Sequence, residues 1–92
     1  MAYYVYIIQS ELDQSYYKGF TESPLFRLER HNNGESNYTR KKIPWRFIYL
    51  QAFDSKTEAF IREKSLKKYS HSQIQSLINT PLNILSDFLK QG

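Results

Sequence analysis

Runs of apolar residues divide the chain into short segments, and three of these segments have the character of β-strands. Residues 3–9 are β-branched and aromatic almost without interruption, which is typical of a strand that is buried on both faces. Residues 15–20 form a second candidate strand, and the short turn at 12–15 predicts an antiparallel hairpin. A third strand is predicted from Trp45 to Phe53.

Between the second and third strands, the sequence signals one helix and a loop. Ser23-Pro24 has the form of an N-cap followed by a proline at the first helical position. The helix should continue to about Asn32, and Asn33-Gly34 should end it. Residues 33–44 are polar and basic, so we expect a loop there.

Three further helices are predicted after the third strand. Residues 55–69 form a long helix, with Ser55 as a candidate cap and Glu58 three residues on. A second helix follows at about 72–79, and Thr80-Pro81 opens a last amphipathic helix. The apolar faces of these two consist of Ile74, Leu77 and Ile78, and of Leu82, Leu85, Phe88 and Leu89.

The order of these elements is β-β-α-β-α-α with an extra C-terminal helix. It predicts an α+β fold in which helices flank a small three-stranded, mainly antiparallel sheet. A length of 92 residues fits one domain. We expect the main domain to occupy residues 1–80 and residues 81–92 to form an amphipathic helix that packs on the domain or extends it.

Charge and composition narrow the choice of partners. The chain has 13 Lys and Arg against 9 Asp and Glu, a net charge of +4 that suits nucleic acid or an anionic membrane surface, although an ordinary solvated surface also explains it. It has no Cys, which excludes disulfides, thiolate nucleophiles and Cys-based zinc sites. We expect a cytoplasmic protein without a membrane partner, because neither a signal peptide nor an apolar run of about 20 residues is present.

A carboxylate interrupts the apolar stripe of the helix predicted at 55–69. Ala59 and Leu66 point almost the same way, Phe60 and Lys67 lie beside them, and Glu63 falls in the middle. A carboxylate in that position is costly unless it is paired or holds a metal. A structural salt bridge, or a shallower stripe, is the plain alternative to a functional role.

In the helix that begins near Pro24, Arg27 and His31 are four residues apart and share one face. The pair places a fixed positive charge beside a group that titrates near neutrality. Two polar neighbours on a solvated helix face would look the same in the sequence.

Strand alternation groups a second set of side chains. Tyr4, Tyr6 and Ile8 share one face of the first strand, and Tyr17 shares a face of the second strand with Gly19. Glycine within a strand often marks the close approach of another group. Core packing explains the tyrosines equally well.

Taken in order, these residues resemble the GIY-YIG nuclease family. The matching series is Tyr4-Val5-Tyr6, Tyr17-Lys18-Gly19, Arg27, His31 and Glu63. The stretches 38–45 and 57–68 are similar to the compact stand-alone bacterial branch of this family, and the likeness covers residues 3 to about 70. The chain departs from the motif at Tyr4, Val5 and Lys18, and Lys18 should face away from the site because it alternates with Tyr17.

The resemblance implies a metal-dependent endonuclease that hydrolyses DNA with low sequence specificity, in a structure-selective or repair-related role. The implied catalytic set is Tyr6, Tyr17, Arg27, His31 and Glu63. Glu63 would hold one Mg²⁺ or Mn²⁺, and Arg27 would bind the non-bridging phosphate oxygens. Either Tyr17 or His31 would be the base, and Tyr6 would position water or phosphate. Gly19 would let the substrate or a helix approach.

The implied substrate is DNA, in branched, flap or damaged form. Candidate nucleic-acid contacts are Tyr38, Arg40, Lys41, Lys42, Lys64, Lys67 and Lys68. Relatives often take specificity from an attached DNA-binding domain, and the 92 residues contain none, so we expect loose substrate choice or a protein partner that supplies specificity. Two alternatives remain open: a non-catalytic nucleic-acid-binding module, and a protein-interaction domain that uses the apolar face of residues 82–89.

Overall fold

The computed structural model describes residues 2–90 and contains three strands and four α-helices. The elements are β1 (Tyr3–Ser10), β2 (Tyr16–Thr21), α1 (Pro24–Asn32), a 3₁₀ turn (Arg40–Lys42), β3 (Trp45–Phe53), α2 (Lys56–Leu66), α3 (His71–Ile78) and α4 (Leu85–Lys90). The strands form one antiparallel sheet in the order β2-β1-β3. The predicted α+β class and element order are confirmed. Residues 1, 91 and 92 of the expected segments 1–80 and 81–92 lie outside the described residues.

The central strand β1 is buried on both faces, as its unbroken apolar sequence predicts. Val5 and Ile7 pack into a cluster that includes buried residues of α2 and α3. Tyr6 and Ile8 pack into a second cluster on the opposite face, which partly buried residues of α1 and α4 complete. The sheet therefore lies between two helical layers, and no helix within residues 2–90 is long and apolar enough to cross a membrane.

The helix caps agree with the sequence signals in two of three places. Ser55 accepts a hydrogen bond from the Glu58 amide at 3.1 Å, as a capping residue should. Gly34 ends α1 with a φ of +79°, a conformation that suits glycine. Ser23, however, makes no side-chain cap bond, so Pro24 alone supplies the signal that starts this helix.

Two predicted helix boundaries were wrong, and the loop predicted at 33–44 contains a short 3₁₀ turn at Arg40–Lys42. Helix α2 ends at Leu66 instead of residue 69. The last helix begins at Leu85 rather than at Thr80-Pro81. Residues 81–84 form instead a turn along the outer edge of β3, where the Ile84 amide donates to the Leu50 carbonyl at 2.8 Å.

The side chain of Asn83 holds that turn in place. Its oxygen accepts from the amides of Leu50 and Leu85, at 3.1 Å each. Its amide nitrogen donates to the carbonyls of Ile48 and Ile78, at 3.0 Å each. One side chain thus satisfies four backbone groups of β3, α3 and α4, and it covers an edge strand that would otherwise expose unpaired groups.

Candidate active site

The site is built over the hairpin of β1 and β2, where Tyr6 pairs with Gly19. The two residues face the same side of the sheet, and the phenol of Tyr6 lies across the glycine. A Cβ atom on residue 19 would stand 2.7 Å from the Tyr6 hydroxyl oxygen and 2.8 Å from its Cζ. The space over Gly19, which was expected to admit the substrate or a helix, is therefore occupied by a tyrosine of the site itself.

We expect Gly19→Ala to displace the Tyr6 ring and to destabilise the fold by about 1–3 kcal/mol, because the added methyl cannot fit without movement. Urea unfolding of the single variant and of the same change in a Tyr6→Leu background measures this effect. The cost should be much smaller in the double variant, where the phenol is gone. Equal costs in both backgrounds would show that the clash lies elsewhere.

Arg27 and His31, both on helix α1, contact the hydroxyl of Tyr6. The Tyr6 hydroxyl lies 2.9 Å from His31 Nε2, and Arg27 Nε donates to the hydroxyl oxygen at 3.4 Å. The Tyr17 ring meets the His31 ring edge-on, with centroids 5.0 Å apart. Four of the five predicted catalytic residues therefore lie together, and His31, which is only 1% exposed, is not on a solvated helix face.

The other ring nitrogen of His31 also has a partner. His31 Nδ1 lies 2.8 Å from Oγ1 of Thr39, which is fully buried. Trp45 Nε1 in turn donates to the Thr39 carbonyl at 2.9 Å. The chain of contacts from Thr39 to Arg27 joins the loop before β3 to helix α1 and strand β1.

Burial sets the protonation states of this cluster. It raises the pKa of Tyr6 to about 12, with the Arg27 bond and charge opposing the rise. It lowers the pKa of His31 to about 4, and the positive charges of Arg27 and Arg30 add to the effect. The bond to Tyr6 raises the pKa of Arg27. At pH 7 the phenol is therefore protonated, the imidazole is neutral and the guanidinium is charged.

The neutral imidazole predicts an acid sensitivity of folding. Its pKa is about 4 in the folded chain and about 6.5 in the unfolded chain, so between these values the unfolded state binds more protons and stability falls as pH falls. The loss across this window should reach about 3 kcal/mol. Urea unfolding at pH 7 and pH 4.5 measures it. The loss should shrink in His31→Gln and persist in His71→Gln, which removes an exposed histidine; the same loss in both variants would contradict this assignment.

The fifth predicted residue, Glu63, comes from α2, which covers the other face of β1 and β2. Its side chain is 12% exposed and lies 3.8 Å from Lys67 Nζ. Its charge contributes to the raised pKa of Tyr6, so the carboxylate lies within electrostatic reach of the phenol. The contact that the fold provides for this carboxylate on the apolar stripe is the ion pair with Lys67, at the limit of contact distance.

The ligands present restrict which metal this site could hold. Within residues 2–90 no group of three His, Asp or Glu side chains surrounds a common point. A single carboxylate suits a hard cation that keeps several of its waters and takes a phosphate oxygen as a further ligand, as Mg²⁺ does. Mn²⁺ shares this preference for oxygen ligands, whereas a site for Zn²⁺ normally needs at least three protein ligands.

A groove runs beside Tyr17 at the edge of the sheet. It has a volume of about 380 Å³ and is lined by Tyr16, Tyr17, Lys18, Tyr38 and Lys67. The Tyr38 ring is 62% exposed and its centroid lies 5.5 Å from that of Tyr17. As expected, Lys18 faces the other side of the sheet from Tyr17, since Lys18 pairs with Ile7 and Tyr17 pairs with Ile8. Because β2 is an edge strand, Lys18 still lines the rim of this groove.

The predicted basic residues fall into two groups. Arg40, Lys41 and Lys42 form the 3₁₀ turn, and Lys64, Lys67 and Lys68 lie at the end of α2. In the first group, Lys42 is engaged within the protein, since its Nζ lies 3.3 Å from Asp13 and 3.1 Å from Ser15 Oγ. In the second group, Lys67 joins the groove and Lys64 lies 5.1 Å from the centre of the Phe60 ring.

The sequence patterns predicted no role for two residues that are important to this geometry, Thr39 and Asn83. Thr39 lies within the stretch that resembles the bacterial branch, but a threonine in a polar loop gives no sign that it will be buried. Asn is favoured just before a helix, which is the one local signal for Asn83, but nothing adjacent in the chain indicates its bonds to β3.

Known proteins resemble this chain over most of its length. A family model described as the GIY-YIG catalytic domain matches residues 2–76. A UPF0213 protein of Streptococcus pneumoniae is 39% identical over 88 residues, which cover 92% of this chain and 88% of the relative. A UPF0213 protein of Haloquadratum walsbyi is 36% identical over 76 residues, which cover 82% and 84%. The solution NMR structure of a UPF0213 protein from Bacillus halodurans matches with a TM-score of 0.58 at 32% identity, covering 98% of this chain and 96% of that one.

Proposed function

This chain belongs to the GIY-YIG domain family, and on that premise we propose that it is a divalent-metal-dependent endonuclease that hydrolyses DNA phosphodiester bonds with low sequence specificity. The family implies a nucleic-acid substrate. The observation that carries the proposal is the meeting of Tyr6, Tyr17, Arg27 and His31 in one contact network, with the charge of Glu63 acting on it. A core-packing role would explain buried tyrosines, but it would not explain a guanidinium bound to one of them.

Arg27 is the residue that binds the scissile phosphate in this proposal. Tyr6 holds its Nε, and the terminal nitrogens of the guanidinium can then donate to non-bridging oxygens as a planar fork. The hydroxyl of Tyr6 is taken up by His31 and Arg27, so we assign Tyr6 to orienting Arg27 rather than to contact with water.

Tyr17 is the better candidate for contact with the attacking water. It lines the open groove, whereas His31 is buried, has both ring nitrogens engaged and has a pKa near 4. A base that weak and that enclosed is poorly matched to water activation at pH 7. We therefore assign His31 to holding Tyr6 and Tyr17 to the water.

Glu63 would hold the single Mg²⁺ or Mn²⁺ ion, which when bound stabilises the developing charge on the phosphate and the leaving oxygen. In this account Lys67, the ion-pair partner of Glu63, moves to the substrate when the carboxylate is engaged. Its place in the groove beside Tyr17 allows both positions.

A panel of DNA substrates tests the proposal. Single-stranded, duplex, flap and branched DNA would be incubated with the protein in Mg²⁺, in Mn²⁺ and in EDTA. Cutting that requires the divalent ion is expected on at least one substrate. Binding that weakens with salt, without any cutting, would select the non-catalytic nucleic-acid-binding module instead. If the protein does not bind DNA even at low salt, the remaining hypothesis is a protein-interaction domain.

The groove gives a separate prediction for binding. Tyr38→Ala should weaken DNA binding by about 5- to 150-fold, because stacking of one base on an aromatic ring contributes about 1–3 kcal/mol. Fluorescence anisotropy of labelled DNA without a divalent ion measures the affinity. Tyr38→Phe keeps the ring and should bind like the parent protein, and equal affinity of the Ala variant would remove Tyr38 from the binding surface.

A further inference from the structure

The buried residue Thr39 contacts His31, and this contact influences which ring nitrogen of His31 carries the proton. Thr39 is fully buried, its carbonyl accepts from Trp45 Nε1 at 2.9 Å, and its Oγ1 lies 2.8 Å from His31 Nδ1. The contacts continue through His31 Nε2 to the Tyr6 hydroxyl and on to Arg27 Nε. A substitution at Thr39 can therefore alter the position of the Arg27 guanidinium, although Thr39 itself does not contact the substrate.

A neutral imidazole carries one N–H, so the two hydroxyls beside it must play opposite roles. Either Nδ1–H donates to Thr39 and Tyr6 donates to Nε2, or Nε2–H donates to Tyr6 and Thr39 donates to Nδ1. Arg27 donates to the Tyr6 oxygen in both cases, because a guanidinium has no acceptor.

Two physical differences favour the first arrangement. A phenol is a far stronger acid than an alcohol, so Tyr6 is the better donor to a ring nitrogen and Thr39 is the better acceptor. The positive charge of Arg27 also lies on the Nε2 side of the ring, where a nitrogen lone pair is favoured over an N–H. In the second arrangement, moreover, two N–H groups would converge on the Tyr6 oxygen while its own proton turned away from both.

We propose that Thr39 is a positioning residue that fixes the tautomer of His31, with Nδ1–H donated to Thr39 Oγ1 and Nε2 accepting the proton of Tyr6. The Tyr6 oxygen then presents its lone pair to Arg27, and the guanidinium is held in a single orientation for phosphate. The tautomer itself is a property of the free protein, whereas its consequence for catalysis rests on the nuclease activity proposed above.

The tautomer is measured first, without DNA or metal, by ¹⁵N–¹H correlation spectra of the histidine rings at pH 7. The expected pattern for His31 is a protonated Nδ1 and an unprotonated Nε2. A protonated Nε2 in the unmodified protein overturns the proposal, whether or not the protein cuts DNA. If the expected tautomer is found but the protein does not cut DNA, the proposed nuclease activity is contradicted and the assignment of the tautomer stands.

Variants at Thr39 test the consequence. Thr39→Val removes the acceptor while nearly keeping the side-chain shape, so His31 should change to the Nε2–H form, and kcat should fall about 10- to 100-fold with little change in KM, as found for supporting partners of active sites. Thr39→Ser restores the hydroxyl and should restore both the tautomer and kcat. Unchanged kcat and tautomer in Thr39→Val would overturn the proposal. If Thr39→Val does not fold, the spectrum of the unmodified protein still decides the question.

Discussion

Glu63→Gln should reduce metal-dependent DNA cutting at least about 100-fold, while leaving the fold intact. The reason is that Glu63 is the proposed metal ligand and its charge reaches Tyr6, and an amide is a much poorer ligand for a hard cation. Stability should change little, because the ion pair to Lys67 spans 3.8 Å and Lys67 is 58% exposed, and a pair with one solvated partner contributes less than about 1 kcal/mol.

The matched control for this variant is Glu58→Gln, an exposed glutamate in the first turn of the same helix. It makes the same chemical change on α2 and should cut DNA at the parent rate. Initial rates of cutting at a series of Mg²⁺ concentrations separate lost metal affinity from lost chemistry. Equal rates for Glu63→Gln and the parent protein would contradict the assignment of Glu63 as the metal ligand.

The second large effect concerns stability. Asn83→Ala should destabilise the fold by about 2–4 kcal/mol, because two amides and two carbonyls of the backbone lose their partner together. For a domain of this size, that change lowers the melting temperature by about 10–25 °C. Thermal unfolding followed by circular dichroism measures it directly.

Asn79→Ala is the control for the asparagine variant, since Asn79 is exposed and its side chain makes one long bond of 3.3 Å to Gln75. It should shift the melting temperature by only a few degrees. Asn83→Asp keeps the acceptor but cannot donate, so it should fall between the parent and Asn83→Ala. A loss below about 1 kcal/mol in Asn83→Ala would contradict the role assigned to this side chain.

The sheet could be predicted because it depends on local chemistry. An unbroken apolar strand indicates burial on both faces, and a glycine within a strand indicates the close approach of another group, although not which group. The helix starts near Pro24 and Ser55 could likewise be predicted, because their signals are residues adjacent in the chain. These features need no knowledge of which distant segments meet.

The parts that could not be predicted depend on contacts between distant segments. The role of Thr39 follows from the path of a 12-residue polar loop, and the turn at 81–84 follows from the way Asn83 meets β3. For the same reason Lys42, expected to contact phosphate, lies against Asp13 of the hairpin turn. The ion-pair partner of a charged loop residue depends on the path of the folded loop, so it cannot be predicted from the residues next to it in the chain.

Hydrolysis by an activated water is the central claim, and cutting in H₂¹⁸O with Mg²⁺ tests it most directly. Mass spectrometry of the products should find one ¹⁸O atom in each newly formed terminal phosphate, and Glu63→Gln should yield almost no labelled ends. Cut ends without ¹⁸O, or labelled ends formed equally well by Glu63→Gln, would contradict the proposed mechanism.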